Sequence, residues 1–184
     1  MSLEYAVLGF LSYQPMSGYD LKKYFDQSVG HFWSATQSHI YKALDSLEKK
    51  SWAEVEVIPQ KGKPSRREYR LTKKGGAELL HWLKTPLPLE PVREPWLIQV
   101  FFAHNLLNED LTKLFADRAA EIRARLENYR ESQEVIDRNG ARAGAQRMRS
   151  LWQFTLDYGM SHYRFELDWL EKAMETVQTL PSLK

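Results

Sequence analysis

Trp52-Ala-Glu-Val-Glu-Val-Ile-Pro-Gln-Lys-Gly-Lys-Pro-Ser-Arg-Arg-Glu-Tyr-Arg-Leu-Thr72 is the stretch in which the apolar period of this chain changes. Trp52, Ala53, Val55 and Val57, with Ile58 following, suit a strand, and Glu54 and Glu56 alternate to its solvent side. Gln60 to Ser65 is turn material, and Arg66 to Thr72 reads as the return strand. The stretch therefore predicts a β-hairpin. Its charge is one-sided: Lys61, Lys63, Arg66, Arg67, Arg70, Lys73 and Lys74 fall between positions 61 and 74 with Glu68 as the only acid.

Outward from the hairpin the period is helical. On the N-terminal side, Leu3, Val7, Phe10 and Leu11 form one helix that Gln14-Pro15 stops. Ser17-Gly-Tyr-Asp20 has the form of a capping box, with Leu21, Tyr24 and Phe25 behind it. Ser34-Ala-Thr-Gln37 has the same form, and Ile40, Leu44 and Leu47 follow on one face of a helix that ends near Lys49-Lys50-Ser51. On the C-terminal side, Thr72 caps a helix carrying Ala77, Leu79, Leu80, Trp82 and Leu83. The order helix, helix, helix, hairpin, helix is that of a winged helix-turn-helix domain.

In such a domain the second helix of the pair enters the major groove and the first crosses the backbone. The candidate recognition helix keeps Ile40, Leu44 and Leu47 for the core and presents Gln37, Ser38, His39, Tyr41 and Lys42, groups that can meet base edges or phosphates. The hairpin supplies the cations a wing needs near phosphate: Lys61, Lys63, Arg66 and Arg67, with Gly62 for the turn and Pro64 to stiffen it. Double-stranded DNA is the expected partner. The competing reading is a winged-helix protein-interaction module without specific DNA binding.

Met16-Ser-Gly-Tyr-Asp-Leu21, Ser38-His-Ile-Tyr-Lys-Ala-Leu44, Leu47-Glu48 and Gly62-Lys-Pro-Ser-Arg-Arg-Glu-Tyr-Arg-Leu-Thr72 followed by Gly75 resemble the pattern of PadR transcriptional regulators over roughly residues 3 to 84. Trp52 departs from it, at a place where a small aliphatic residue is more usual. The resemblance implies a dimeric repressor that leaves its operator when a small molecule or other signal binds. It places Ser38, His39, Tyr41 and Lys42 at the DNA, with Lys63, Arg66 and Arg67 in the wing.

The chain is expected to divide into a winged domain at 1–86, a connector at 87–94 marked by Pro86, Pro88 and Pro91, and a helical dimerisation domain at 95–184. The fold class expected for the whole is mainly α with a small β-hairpin. From Glu109 to about Asp137, Phe115, Ala119, Ile122, Leu126, Tyr129 and Ile136 make one stripe, and Asn139-Gly140 follows. The final helix, about 145 to 177, carries two. Trp152, Leu156, Met160, Tyr163, Leu167, Leu170 and Met174 form one, while Leu151, Thr155, Tyr158, His162, Phe165 and Trp169 form the other. A helix apolar on two sides asks for burial on two sides, which a homodimer would supply. Trp96, Phe101, Trp152 and Trp169, together with Phe102, are candidate walls of a pocket for a small aromatic effector.

Composition narrows the remaining classes. A net charge of +2 is too mild to announce nucleic-acid binding by itself. There is no cysteine, so disulfides and soft metal sites are excluded. His31, His39, His81, His104 and His162 show no metal-ligand spacing, and there is no phosphate-cradling glycine motif. No nucleophile stands beside a base in any recognisable motif, so neither catalysis nor a cofactor is expected. With no apolar run of membrane-spanning length and no basic leader, the protein is expected to be soluble and cytoplasmic.

Overall fold

The computed structural model describes residues 2–60, 62, 65–140 and 145–181, in two compact units, Met1–Pro88 and Leu89–Lys184. The first contains α1 (Ser2–Leu11), β1 (Met16–Ser17), α2 (Gly18–Gln27), α3 (Gln37–Lys49), β2 (Ala53–Ile58), β3 (Arg66–Leu71) and α4 (Lys73–Lys84). The hairpin is present, with Ala53 opposite Leu71, Val55 opposite Tyr69 and Ile58 opposite Arg66. It belongs to a three-stranded antiparallel sheet in the order β1-β3-β2. The extra strand is only Met16 and Ser17, too short for any period to reveal; it pairs with Tyr69 and Glu68. Alternation along β2 is incomplete, because Val57 near its outer end is exposed.

The core of this unit joins all three leading helices to the sheet. Val7, Leu8, Leu21, Phe25, Ile40, Leu44, Leu47 and Tyr69 are fully or almost fully buried. Withdrawing each of the aliphatic chains from water is worth about 1.5–3 kcal/mol. Ser17 caps α2 in a reciprocal box with Asp20, and Thr72 caps α4 through Gly75 N–H. The start of α3 differs from the expectation: Thr36, not Ser34, is the N-cap, and His39 closes the box. Gln37 is thus the first helical residue, two positions too early to act as the returning side chain.

At its other end α3 stops in a tight reversal. Ser51 adopts φ 57°, the N–H of Trp52 donates to Leu47 O, and that of Ser51 donates to Glu48 O. This is the Schellman arrangement, with serine in the left-handed position that usually holds glycine. Trp52 then turns inward, 6.0 Å from Tyr5 between ring centroids, while Tyr5 stacks on Trp82 at 4.6 Å. The departure from the family pattern at Trp52 is thereby accommodated in an aromatic contact between α1, the start of the hairpin and α4.

The second unit contains α5 (Pro95–Phe101), α6 (Asn108–Gly140) and α7 (Gln146–Val177). Pro95 opens α5 at its first turn, where a missing N–H costs nothing. The sequence reading had only two long helices here and no α5. Asn108 bonds the carbonyl of Leu180 while Arg149 pairs with Asp137, so α6 and α7 run antiparallel. Two apolar clusters hold them. One gathers Leu111, Phe115, Ala119, Ile122, Leu170 and Val177; the other gathers Tyr129, Ile136 and Leu156. Tyr129 lies across Gly159, whose missing Cβ leaves room for the ring.

Among the described residues one of the two apolar stripes on α7 is covered by its own chain, and the other only at its C-terminal end, where Trp169 packs on Phe115. Leu156 and Leu170 are buried and Met160, Tyr163, Leu167 and Met174 are partly buried against α6. Leu151, Tyr158 and Phe165 of the other stripe, and Phe154 beside them, remain exposed, Tyr158 by 77% and Phe165 by 69%.

Candidate nucleic-acid interface

The first two turns of α3 carry five of the nine residues read as DNA contacts, Gln37, Ser38, His39, Tyr41 and Lys42. Thr36 Oγ1 accepts the N–H of His39 at 3.3 Å and shares a hydrogen bond with Ser38 Oγ at 2.9 Å, and His39 Nδ1 accepts the N–H of Thr36 at 3.4 Å. His39 is therefore partly occupied as a cap, while Gln37, Ser38 and Lys42 stand exposed on the same end of the helix. Exposed polar groups at the N-terminus of a recognition helix, where the peptide dipole is positive, suit base edges and phosphates.

Tyr41 has a different setting. A Cβ placed on Gly18 would lie 2.6 Å from Tyr41 Cε1, so the ring rests against the bare backbone that opens α2. Glycine at that position lets α2 and α3 approach through the tyrosine. Tyr41 stays 39% exposed, enough for its hydroxyl edge to face a ligand.

The wing is anchored at its base by acids. Arg66 Nη2 donates to Asp20 Oδ2 at 2.8 Å and to Glu68 Oε1 at 3.3 Å. Arg67 Nη2 donates to Glu48 Oε2 at 3.1 Å, with its guanidinium 5.5 Å from the centre of the Tyr69 ring. Both arginines remain substantially exposed. Gly62 has φ +70°, a backbone setting that favours glycine and turns the wing. Lys61, Lys63 and Pro64 lie outside the described residues. Sequence reasoning had the cations but not their counter-charges. Asp20 and Glu48 stand 46 and 19 positions from the arginines they pair with, and no spacing rule connects them.

Two profiles divide the chain between them. That of the PadR-like transcriptional regulator family matches residues 7–81, and that of the virulence activator alpha C-terminal region matches 92–178. The negative transcriptional regulator PadR of Bacillus subtilis is 34% identical over 136 residues, covering 73% of this chain and 74% of that one. The chain belongs to the PadR family of transcriptional regulators. The probable transcriptional regulator Rv1176c of Mycobacterium tuberculosis is 39% identical over 94 residues, and that match spans half of each chain. The crystal structure of Bacillus subtilis PadR in complex with operator DNA is similar with a TM-score of 0.81 and 28% identity, over 96% of this chain and 99% of that one. The crystal structure of the same protein with p-coumaric acid gives 0.75 and 26% identity, over 97% and 96%. This PadR-family chain therefore has the expected mainly helical fold with a small sheet.

The aromatic residues read as effector walls are only partly brought together. Trp96 and Trp169 meet edge to face at 5.5 Å, with Phe115 6.0 Å from Trp169. Arg118 lies 4.0 Å over the Trp96 ring, and pairs with the buried Glu166 and with Glu94. The Nε1 of Trp96 is buried and donates to no protein group among the described residues. Trp152 packs elsewhere, with Tyr129, Ile136 and Leu156. Phe101 is 78% exposed and contacts Phe102, which borders an open depression with Ala103, Leu106 and Leu114. Among the described residues no helix is long and apolar enough to cross a membrane.

Proposed function

We propose that this PadR-family regulator is a repressor that binds a palindromic operator as a homodimer and is released by a small aromatic effector. The observation that carries DNA binding is the exposed polar first turn of α3 beside a hairpin whose basic residues sit on the same unit. Gln37, Ser38, His39, Tyr41 and Lys42 would face the major groove, and Lys61, Lys63, Arg66 and Arg67 the flanking phosphates. Repression is supported by the negative regulator of Bacillus subtilis, and DNA as the partner by the operator complex of that protein.

Dimerisation rests on the uncovered stripe of α7, where Leu151, Phe154, Tyr158 and Phe165 would be buried by a second copy. Two wings related by a two-fold axis then match a palindrome. An effector is supported by the p-coumaric acid complex of the relative, and here the Trp96–Trp169 pair is the best-formed aromatic contact for it to join. Phe101, Phe102 and Trp152 contribute less to that reading, because they lie in other surroundings.

The experiment is an electrophoretic shift with the upstream region of the neighbouring genes, comparing the natural chain with Lys42→Ala and Gln37→Ala. Each is expected to weaken binding while leaving the dimer intact. Binding that ignores both substitutions would take α3 away from the DNA. Affinity should fall steeply with salt, as several phosphate contacts require. A salt-independent complex with protein partners would favour the interaction-module reading instead. Quenching of tryptophan emission by p-coumaric acid or other phenolic acids, with loss of the shift, tests the effector.

A further inference from the structure

We propose that Asp20 is a positioning residue for DNA recognition, holding Arg66 at the base of the wing so that the unused edge of its guanidinium is presented to phosphate. The inference rests on the DNA-binding reading above.

Asp20 Oδ2 is a point of convergence. It accepts the Ser17 hydroxyl at 2.7 Å, the Ser17 N–H at 3.4 Å and Arg66 Nη2 at 2.8 Å. One carboxylate oxygen thus closes the capping box of α2 and fixes the first residue of β3, 46 positions away. Glu68 reaches the same Nη2 from within β3. Among the described residues the Nε and Nη1 groups of Arg66 donate to no protein group, and the side chain is 41% exposed. A long arginine side chain gives up rotamer entropy on binding, and its planar fork loses least when it is already oriented. Two carboxylates on one terminal nitrogen orient the plane and leave the opposite edge available for a bidentate or single phosphate contact. In this arrangement the acids next to the wing serve its cation, although on charge alone they would oppose DNA.

The roles of cap and positioning group can be separated. Asp20→Asn keeps an oxygen that accepts from Ser17 but removes the charge that holds Arg66. Arg66→Lys keeps the charge at 66, leaves the cap untouched and removes the planar fork. The probe is a duplex of roughly thirty base pairs, about three helical turns, selected by the natural chain from a random library. Affinities are measured across a salt series for the natural chain, Asp20→Asn, Arg66→Lys, Arg66→Ala and the Asp20→Asn/Arg66→Ala double variant, with a thermal melt of each.

Asp20→Asn and Arg66→Lys are each expected to bind about three- to fivefold more weakly, the scale of one partly exposed ion pair. Asp20→Asn should keep the natural salt slope, whereas Arg66→Ala should lower it by about one. In the Arg66→Ala background, adding Asp20→Asn should change nothing further, because its effect runs through Arg66. Equal losses in both backgrounds would make Asp20 a helix cap only and overturn the proposal, as would Asp20→Asn binding as tightly as, or more tightly than, the natural chain. Natural-affinity binding by Arg66→Lys overturns it too. If the natural chain selects no duplex from the library, the DNA-binding reading itself falls, a result distinct from any of these.

Discussion

Ser51 holds a backbone angle that L-residues adopt at a cost of roughly 1–2 kcal/mol, and it does so to let α3 reverse into β2. Glycine would remove that cost but lose up to about 1 kcal/mol by loosening the unfolded chain. Ser51→Gly is therefore expected to stabilise the first unit by up to about 1 kcal/mol, read as a higher melting temperature; a lower one would show that the serine side chain contributes something its exposed position conceals. Glu4 offers a second test, through pH. Burial raises its carboxyl, but hydrogen bonds from Lys50 and Ser46 and the Lys50 charge outweigh that and hold it below its usual range. The Lys50 ammonium sits 2.7 and 2.9 Å from its two oxygens. A depressed carboxylate contributes stability that is complete above its unfolded value of about 4.3 and is lost as pH falls through the lower folded value. Glu4→Gln should then cost about 1 kcal/mol at neutral pH and progressively less toward pH 3. A deficit that stays constant with pH would place the cost in packing. Neither position stood out in the sequence: Ser51 looked like the polar end of a helix, and Glu4 finds its partner 46 residues away.

Elements were legible wherever a period could run long enough to be recognised. Ile40, Leu44 and Leu47 gave α3 and are buried in it, and the alternation from Ala53 gave β2, with Ala53 buried but Val57 exposed. What escaped was short or irregular. β1 is two residues long and exists because β3 offers it an edge; α5 is seven residues long and follows a proline-rich stretch that reads as connector. The cap of α3 moved from Ser34 to Thr36 because His39, not a carboxylate or amide, returns the hydrogen bond. Contacts between helices were illegible for a further reason: Gly18 in the sequence is a residue inside a capping box, whereas in the fold it is the surface on which Tyr41 rests. An added methyl there would meet the ring at 2.6 Å, and the partly exposed Tyr41 can swing outward. Replacing glycine within a helix also gains up to about 1 kcal/mol of propensity. Gly18→Ala is accordingly expected to melt within about 1 kcal/mol of the natural chain while binding operator DNA at least about fivefold more weakly, because Tyr41 leaves its seat on the start of α2. Unchanged binding in the shift assay would show that the Tyr41 position is immaterial to recognition.

At the scale of the molecule, the decisive asymmetry is on α7. Its Leu156 and Leu170 face α6, while Tyr158 and Phe165, two and five positions away from them, face outward. The alternation was visible in the sequence as two stripes, but only the fold tells which stripe the chain covers itself. An exposed row of Leu151, Phe154, Tyr158 and Phe165 spans about four turns of helix, apolar surface of the kind a partner covers. If that partner is a second copy, carboxylates introduced at the centre of the row should separate the subunits without disturbing the clusters on the α6 side. Tyr158→Glu with Phe165→Glu is expected to give a monomer by light scattering at micromolar concentration, with helix content and melting of the first unit unchanged. The consequence for DNA follows from linkage. A dimer makes the second half-site contact an intramolecular one, which multiplies affinity by about 10²–10⁴ over a single wing. The separated chain should therefore bind a palindromic duplex no better than one bearing a single half-site, and its salt slope should fall to about half, since half the phosphate contacts remain. A double variant that stays dimeric would move the interface away from this face of α7, and one that is monomeric yet binds the palindrome as tightly as the natural chain would show that a single winged unit suffices for recognition.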